Sequence, residues 1–274
     1  MNIQYSSLIR TFNSEATLPE TLHSLGGQTI PPSEYIVVDS GSKDSTIDLL
    51  PKSAILHIFS GHDFNFSTAL NQGLKHISTD YVLIISSHTL LQEPSAIEYA
   101  LALLTSNESI GAAYFCEPSS GELRHTLINK TNFDGYNGLW NTCSLIKMEL
   151  LKKRNFRPDV FSAEDQEWAN WLFTVENKTV ARIEGARMKS YTRNRNVKSR
   201  KAQLYKRLNE YTSIAYFIKR ELLGFRNLSH IAYEIIKPIP PPWSGKEERL
   251  FNFLLFCRLV SCYVAKPKHK SKYF

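Results

Sequence analysis

The stretch EYIVVDS, residues 34–40, decides the fold, because it is a short apolar run ending in an acid, as expected of a buried parallel strand. Similar runs occupy residues 3–9, 54–59 and 81–86. Helix patterns lie between them, at 15–27, 42–50 and 67–77. Strands that alternate with helices every ~20–25 residues predict a parallel sheet with helices on both faces.

Polar side chains stand at or just past the ends of these predicted strands. In open sheets of this class, ligands bind at the carboxyl ends of the strands. This rule nominates one group of candidate binding residues: Arg10, Thr11, Asp39, Ser40, Ser86 and His88.

Composition narrows the class of protein. The chain has 274 residues, enough for a large core, and a formal charge of +7, a mild bias toward anionic partners. Four dispersed cysteines do not form a disulfide framework, so reduced thiols in the cytoplasm are expected. We expect neither a secretory signal at the N-terminus nor a segment of the roughly 20 apolar residues that a spanning helix needs.

The pattern weakens beyond residue 115. Helices are predicted at 163–174, 200–223 and 247–265, with a proline-rich linker at 237–246. A run of Lys and Arg without an acid covers 185–209, and the tail 266–274 is also basic. A charge run of this kind is usually a solvated surface, and binding of an anion is the alternative.

The chain from residue 5 to about 175 resembles the inverting family 2 glycosyltransferases with the GT-A fold. The resemblance lies in RTFN (10–13), SLGGQT (24–29), IVVDSGSKDST (36–46), FNFSTALNQGLKHISTDYVLIISSH (64–88) and FSAEDQEWANW (161–171). It implies an α/β fold, in which a Rossmann-like nucleotide-binding half with a mostly parallel sheet merges with an acceptor half. The implied domains are 1–200, divided into a nucleotide-sugar half (1–90) and an acceptor half (91–200), and a C-terminal helical, basic extension (201–274).

The resemblance assigns a nucleotide-sugar site. It implies that Asp39 accepts a hydrogen bond from the uracil N–H, with a UDP-sugar as the favoured donor; a turn cap is the alternative role for Asp39. Thr11 and Asn13 would line the base and ribose, although Asn13 could equally be an N-cap. The further residues implied to contact the nucleotide-sugar are Arg10, Ser40, Asn71, Ser86, Arg193 and Arg195.

The resemblance also assigns the catalytic centre. Asp165 corresponds to the general base, which takes the proton of the acceptor hydroxyl, and Glu164 stands beside it. Both acids could instead be a first helical turn favoured by the helix dipole. Trp140 and Trp168 are the candidates for stacking on the acceptor sugar.

One family motif is altered. The family usually places D-x-D after the strand at 81–86, and this chain has Ser86-Ser87-His88 there. Either His88 binds a divalent metal, Mn²⁺ rather than Mg²⁺, or His88 and basic residues contact the diphosphate without metal.

Two other classes of function remain open on this sequence. The altered motif would also suit an inactive scaffold subunit. Binding of nucleic acid by the basic run 185–209 is the second alternative, against which the run has no interleaved stacking aromatics beyond Tyr191 and Tyr205 and no recognised module appears. The apolar segment 250–265 and the lysines after it (250–272 together) suggest peripheral contact with a membrane, and packing of the segment on the catalytic domain or a dimer contact is an equal alternative. We therefore expect a cytoplasmic protein at the inner face of the plasma membrane, acting on a glycan or lipid-linked acceptor.

Overall fold

The computed structural model describes residues 3–59, 65–116, 121–191, 200–237 and 245–267. The strands are β1 (Tyr5–Thr11), β2 (Glu34–Asp39), β3 (Ile55–Ile58), β4 (Tyr81–Ser86), β5 (Thr89–Leu91), β6 (Ile110–Phe115), β7 (Arg124–Ile128), β8 (Cys143–Lys147), β9 (Thr179–Glu184) and β10 (Met188–Ser190). The helices are α1 (Leu18–Gly26), α2 (Phe66–Leu74), α3 (Ala96–Ser106), α4 (Met148–Lys153), α5 (Glu164–Thr174), α6 (Arg200–Phe217), α7 (Phe225–Ile236) and α8 (Lys246–Ser261), with a short 3-10 helix at Arg220–Leu223.

One eight-stranded sheet has the order β3-β2-β1-β4-β8-β6-β9-β7. The strands β3, β2, β1 and β4 are parallel, as predicted. Strand β8 runs antiparallel to both β4 and β6, and β9 is parallel to β6. The predicted nucleotide half therefore shares one continuous sheet with the following part of the chain.

Alternation along the strands produces two cores, one on each face of the sheet. In β4, Val82 and Ile84 join the core that includes α2 and α5, whereas Leu83 and Ile85 join the core that includes α1 and α3. Successive side chains of a strand point to opposite faces, so a strand covered by helices on both sides must be apolar throughout. This requirement explains the unbroken run YVLII.

The helix predicted at 42–50 is wrong. Residues 42–50 form turns, in which polar side chains bind backbone amides of a neighbouring loop. Thr46 Oγ1 accepts from the amide of Ser14 at 2.6 Å, and Asp44 accepts from the amide of Glu15 at 3.2 Å. The segment is thereby tied to the loop that follows β1.

The chain forms two compact units, 1–158 with 164–193 and 159–163 with 194–273. The second unit has its own core, contributed by α6, α7 and α8. Helix α7 was not predicted from the sequence. Arg249 near the start of α8 donates to the carbonyl of Lys237 after α7 at 2.8 Å, and Tyr263 donates to the carbonyl of Leu223 before α7. The two helices therefore form an antiparallel hairpin.

Within the described ranges, no helix combines the length and the apolarity that crossing a bilayer requires. Cys116, Cys143, Cys257 and Cys262 are free thiols in the structure.

Candidate active site

The register of the parallel strands brings the predicted site residues to one edge of the sheet. Thr11 lies opposite Asp39 on β2, and Arg10 lies opposite Ser86 on β4. Side chains 28 and 76 positions apart in the chain are therefore in direct contact.

Asp39 is fully buried and accepts four hydrogen bonds from the protein. The donors are Thr11 Oγ1 at 2.7 Å, the amide of Gly41 at 2.9 Å, and the amide and hydroxyl of Ser42 at 2.7 and 2.5 Å. A carboxylate has about four acceptor positions, and all are filled here. Asp39 is thus a turn cap in this structure, the alternative that the sequence left open. A direct bond to a uracil N–H stays a prediction and requires one of the two hydroxyls to turn away.

The loop after β1 is joined to the loop after β2. Asn13 has φ 46, a left-handed conformation that Asn tolerates, and its Oδ1 accepts from the amide of Lys43 at 2.8 Å. Its own amide donates to Ser42 Oγ at 2.8 Å. Asn13 therefore fixes the shape of this edge instead of capping α1, and its predicted contact with the ribose stays untested. Ser40 is buried beside it, and its amide donates to the carbonyl of Thr11 at 3.0 Å.

Arg10 lies at the centre of the site. Both of its Nη2 contacts are short: 3.0 Å to Ser86 Oγ and 2.7 Å to the carbonyl of Asn141. The guanidinium also lies over the ring of Phe66, 5.4 Å from its centroid. Burial lowers the pKa of Arg10, and the negative charges of Glu164 and Asp165 raise it. Arginine stays charged in proteins, so the site contains a fixed positive charge.

Asp165 is held at the start of α5. Its Oδ2 accepts from the amide of Asn141 at 3.2 Å, and its Oδ1 accepts from the amide of Gln166 at 2.9 Å. Glu164 is buried beside it, with Oε1 3.4 Å from Asn141 Nδ2. Ala163, directly before the helix, has φ 58, an uncommon conformation for a residue with a Cβ and one that often occurs at functional sites.

The segment 138–141 is fastened to α5 by Gln166. Its Oε1 accepts from the amide of Gly138 at 2.8 Å, and its Nε2 donates to the carbonyl of Leu139. Asn141 is consequently in a fixed position, where its amide contacts Asp165 and its carbonyl contacts Arg10. Sequence reasoning missed Asn141, because a polar residue in the turn-rich stretch GLWNT has no distinguishing pattern.

The pKa of Asp165 is raised to about 7. Burial is the main cause, and the negative charge of Glu164 adds to it; the amides of Asn141 and Gln166 and the charge of Arg10 act in the opposite direction. A carboxylate whose pKa lies near neutral pH is a much better proton acceptor than an ordinary aspartate.

The residues at the D-x-D positions do not fit a divalent metal. Ser86 Oγ accepts from the Arg10 guanidinium, and the fully buried Ser87 Oγ is hydrogen-bonded to Ser14 Oγ at 2.7 Å. Of the three residues, His88 alone has a side chain that commonly ligates metals, and hard cations require several oxygen ligands. Across the described parts of the chain, no three His, Cys, Asp or Glu side chains are grouped so that they could hold a metal.

The two tryptophans predicted to bind the acceptor differ in their exposure to solvent. Trp168 is completely buried in the core, and its Nε1 donates to the carbonyl of Arg154 at 3.0 Å, so the prediction that it stacks on a sugar is wrong. Trp140 is 37% exposed, and its ring lies 5.3 Å from that of Tyr114. Trp140 therefore remains the candidate for contact with an acceptor.

Asn71 uses its amide group on Phe156, donating to the carbonyl at 2.7 Å and accepting from the amide at 3.2 Å, so it fixes a loop. Its contact with the nucleotide-sugar stays a prediction. Arg193 and Arg195 lie outside the described residues. Of the other basic residues in the run, Arg187 pairs with Glu93 at 2.7 Å and Arg207 with Glu248 at 3.3 Å.

Two curated relatives show sequence similarity. A poly-beta-1,6-N-acetyl-D-glucosamine synthase of Staphylococcus epidermidis is 28% identical over 116 residues, which are 39% of this chain and 27% of the relative. The O-antigen chain rhamnosyltransferase RfbN of Salmonella typhimurium is 32% identical over 94 residues, 33% of this chain and 30% of the relative. The match thus spans less than a third of the length of either relative.

Solved structures confirm the predicted GT-A fold. Staphylococcus aureus TarS 1-349 in complex with UDP-GlcNAc superposes with a TM-score of 0.59 at 16% identity, covering 97% of this chain and 82% of TarS. The mannosyltransferase PcManGT of Pyrobaculum calidifontis, in complex with GDP-Man and Mn²⁺, gives a TM-score of 0.53 at 17% identity over 95% of this chain and 74% of its own. A model of the family described as glycosyl transferase family 2 matches residues 6–164, more than half of the chain, so this protein belongs to glycosyl transferase family 2.

Proposed function

We propose that this protein transfers a sugar from a UDP-sugar to a hydroxyl of a glycan or lipid-linked acceptor, with inversion at the anomeric carbon and Asp165 as the general base. The observation that carries the proposal is the environment of Asp165. Its carboxylate stands at the edge of the sheet where ligands bind, is fixed by the amide of Asn141, and has a pKa near neutral.

The chemistry follows from this arrangement. The acceptor oxygen attacks the anomeric carbon from the face opposite the diphosphate and passes its proton to Asp165. A bond between that oxygen and the carbon forms as the bond to the diphosphate oxygen breaks, and the nucleoside diphosphate departs with the bonding electrons. The negative charge of Glu164 keeps Asp165 basic.

Similar proteins support the donor and the acceptor classes. TarS has been crystallised with UDP and with UDP-GlcNAc. One curated relative is named a poly-beta-1,6-N-acetyl-D-glucosamine synthase and the other an O-antigen chain rhamnosyltransferase. A UDP-sugar donor and a surface glycan acceptor are the corresponding proposals for this chain.

The test is transfer by the purified protein. A panel of UDP-sugars is incubated with glycan acceptors, release of UDP is measured, and the anomeric configuration of the product is determined by NMR. Asp165→Asn should reduce transfer by roughly 10²–10⁴-fold, the usual contribution of a general base. Asp80→Asn, which changes an exposed acid, is the matched control. A wild-type protein without transfer or donor hydrolysis would indicate the inactive scaffold instead.

We further propose peripheral membrane contact at the inner face of the plasma membrane. Large apolar side chains are exposed along the α7–α8 hairpin and the segment after it: Phe225, Tyr233, Ile236, Leu250, Phe253, Val260, Tyr263 and Val264. The lysine-rich tail that follows lies outside the described residues after 267, and its sequence provides charge complementary to anionic lipid.

A further inference from the structure

A half-buried cation, Arg10, lies in the proposed donor site, and one of its guanidinium nitrogens has no partner among the described residues. Both hydrogen-bonding positions of Arg10 Nη2 are used, by Ser86 Oγ at 3.0 Å and by the Asn141 carbonyl at 2.7 Å. These contacts fix the plane of the guanidinium. Its Nε is buried and has no hydrogen-bond partner among the described residues. Guanidinium nitrogens of Arg154, Arg182 and Arg249 are also buried without a partner, so the significance of this one comes from its place in the proposed donor site, where an anion would complete its hydrogen bonds.

Arg10 lies beside the altered D-x-D motif. Its Nη2 donates to Ser86 Oγ, at the first of the two positions where the family has aspartates, as well as to the Asn141 carbonyl. The serine hydroxyl is uncharged and already accepts a hydrogen bond from the guanidinium, so it attracts a cation only weakly. A divalent ion close to this fixed positive charge would also be repelled. A guanidinium therefore supplies fixed positive charge beside a position where the family has an aspartate.

We propose that Arg10 is the resident cation of this site, so that its guanidinium, in place of a divalent metal, neutralises the diphosphate of the departing nucleotide. The inference rests on the proposed transfer from a UDP-sugar. When the bond between the anomeric carbon and the diphosphate oxygen breaks, the additional negative charge on the nucleoside diphosphate is stabilised by the Arg10 N–H groups. A guanidinium matches the geometry of phosphate oxygens and cannot dissociate as a metal does.

Arg10 also acts electrostatically on the proposed general base. Its charge acts on Glu164 and Asp165 as well as on the donor. An alternative role is therefore electrostatic positioning of the base alone, without contact with the diphosphate. The two roles differ in what Arg10 does to binding of the nucleotide, because a positioning residue would change turnover and leave the affinity for UDP as it is.

The experiment compares the affinity for UDP with that for UMP by calorimetry, in chelator and with Mn²⁺ or Mg²⁺ added. We expect the wild-type protein to bind UDP equally well in chelator and with either metal. Arg10→Gln should weaken binding of UDP roughly 10- to 100-fold, the ratio that corresponds to a lost charge-assisted hydrogen bond, and should affect UMP less. Arg10→Lys should restore part of the affinity. Arg124→Gln, at a 72% exposed arginine paired with Glu184, is the control.

A second variant serves if Arg10→Gln does not fold. Ser86→Asp would place a carboxylate on the guanidinium, so we expect weaker binding of UDP in chelator and with metal. A metal site would instead gain a ligand and bind UDP more tightly with Mn²⁺.

Three results would overturn the inference. If the wild type bound UDP only in the presence of metal, a divalent metal and not Arg10 would neutralise the diphosphate. The proposed function would be unaffected. Unchanged affinity of Arg10→Gln for UDP, with reduced turnover, would make Arg10 a positioning residue. Failure of the wild type to bind UDP under every condition would remove the proposed donor, and this inference with it.

Discussion

At the scale of single residues, Asp165 combines a chemical advantage with a cost in stability. Burial and the neighbouring Glu164 raise its pKa, which makes its carboxylate a better base. The same interactions disfavour the charged form in the folded protein. Between the usual pKa of an aspartate and about 7, the unfolded state has released this proton while the folded state retains it. The contribution of Asp165 to stability therefore falls as the pH rises through this window.

The pH dependence of transfer is the corresponding prediction. Because the base must be deprotonated, kcat/KM should fall below about pH 7 with a slope of one proton. Asp165→Asn should abolish this acidic limb in the residual activity and leave the melting temperature at pH 8 unchanged or higher. A profile that stays flat down to pH 5, or a large loss of stability in Asp165→Asn, would contradict the assignment.

Asp39 leads to a second prediction at this scale. Its carboxylate satisfies four protein donors, so Asp39→Asn should lower the free energy of unfolding by about 1–3 kcal/mol, the usual cost of unpaired buried groups. The affinities for UDP and CDP should then weaken together, since the whole loop is disturbed. Calorimetry would reveal a direct contact with uracil if the loss were confined to UDP.

At the scale of elements, the sequence predicted best where local pattern and tertiary environment agree. The strand at 81–86 was placed at its observed bounds, because a strand buried on both faces is apolar without interruption. The helix predicted at 42–50 was wrong, because polar side chains of this segment bind the loop after β1, and no local sequence pattern reveals that contact. Asn141 was missed for a related reason, since its importance arises from α5 and β1, which are distant in sequence.

Helix α2 provides a test of packing against helix propensity. A Cβ at Gly73 would lie 2.3 Å from Leu8 Cδ1 and 2.9 Å from Val38 Cγ2, so the helix backbone contacts the sheet directly. Gly73→Ala should therefore destabilise the protein by about 1–3 kcal/mol through overpacking, although alanine has the higher helix propensity.

The matched control for this prediction is Gly26→Ala at the end of α1. No atom lies within 4 Å of a Cβ placed there, so propensity alone should act and stability should not fall. Urea unfolding of both variants decides between the two effects. If Gly73→Ala were as stable as Gly26→Ala, the close approach of α2 would not constrain the sheet.

At the scale of the whole molecule, the family match and the fold describe different parts of the chain. The family model ends at residue 164, directly before Asp165, whereas the C-terminal unit is built on α6, α7 and α8. Removing α8 would take Phe251, Leu255 and Leu259 out of the core of that unit. A deletion would therefore confuse loss of folding with loss of membrane contact, and point substitutions on the exposed face are the sharper test.

The exposed face of the hairpin has the spacing of one continuous stripe. Leu250, Phe253, Val260 and Val264 recur every three, four or seven residues, which places them on one side of α8 and its extension. On α7, Phe225 and Tyr233 are exposed together with the basic Arg226 and His230. Apolar side chains beside basic ones are typical of a surface that binds anionic lipid.

Phe253→Glu and Val264→Glu should accordingly reduce flotation of the protein with vesicles containing phosphatidylglycerol. Burying an exposed Phe or Val in the acyl boundary contributes about 1–3 kcal/mol, so each substitution should weaken partitioning roughly tenfold or more. Val175→Glu is the matched control, because Val175 is 62% exposed and lies in the other compact unit. Both variants should keep the wild-type melting temperature, since neither side chain is in the core. Equal binding to neutral and anionic vesicles would show that the basic residues do not contribute to membrane binding. Unchanged flotation of Phe253→Glu and Val264→Glu, with a fall in molecular mass in sedimentation, would show that this face joins two copies of the chain instead.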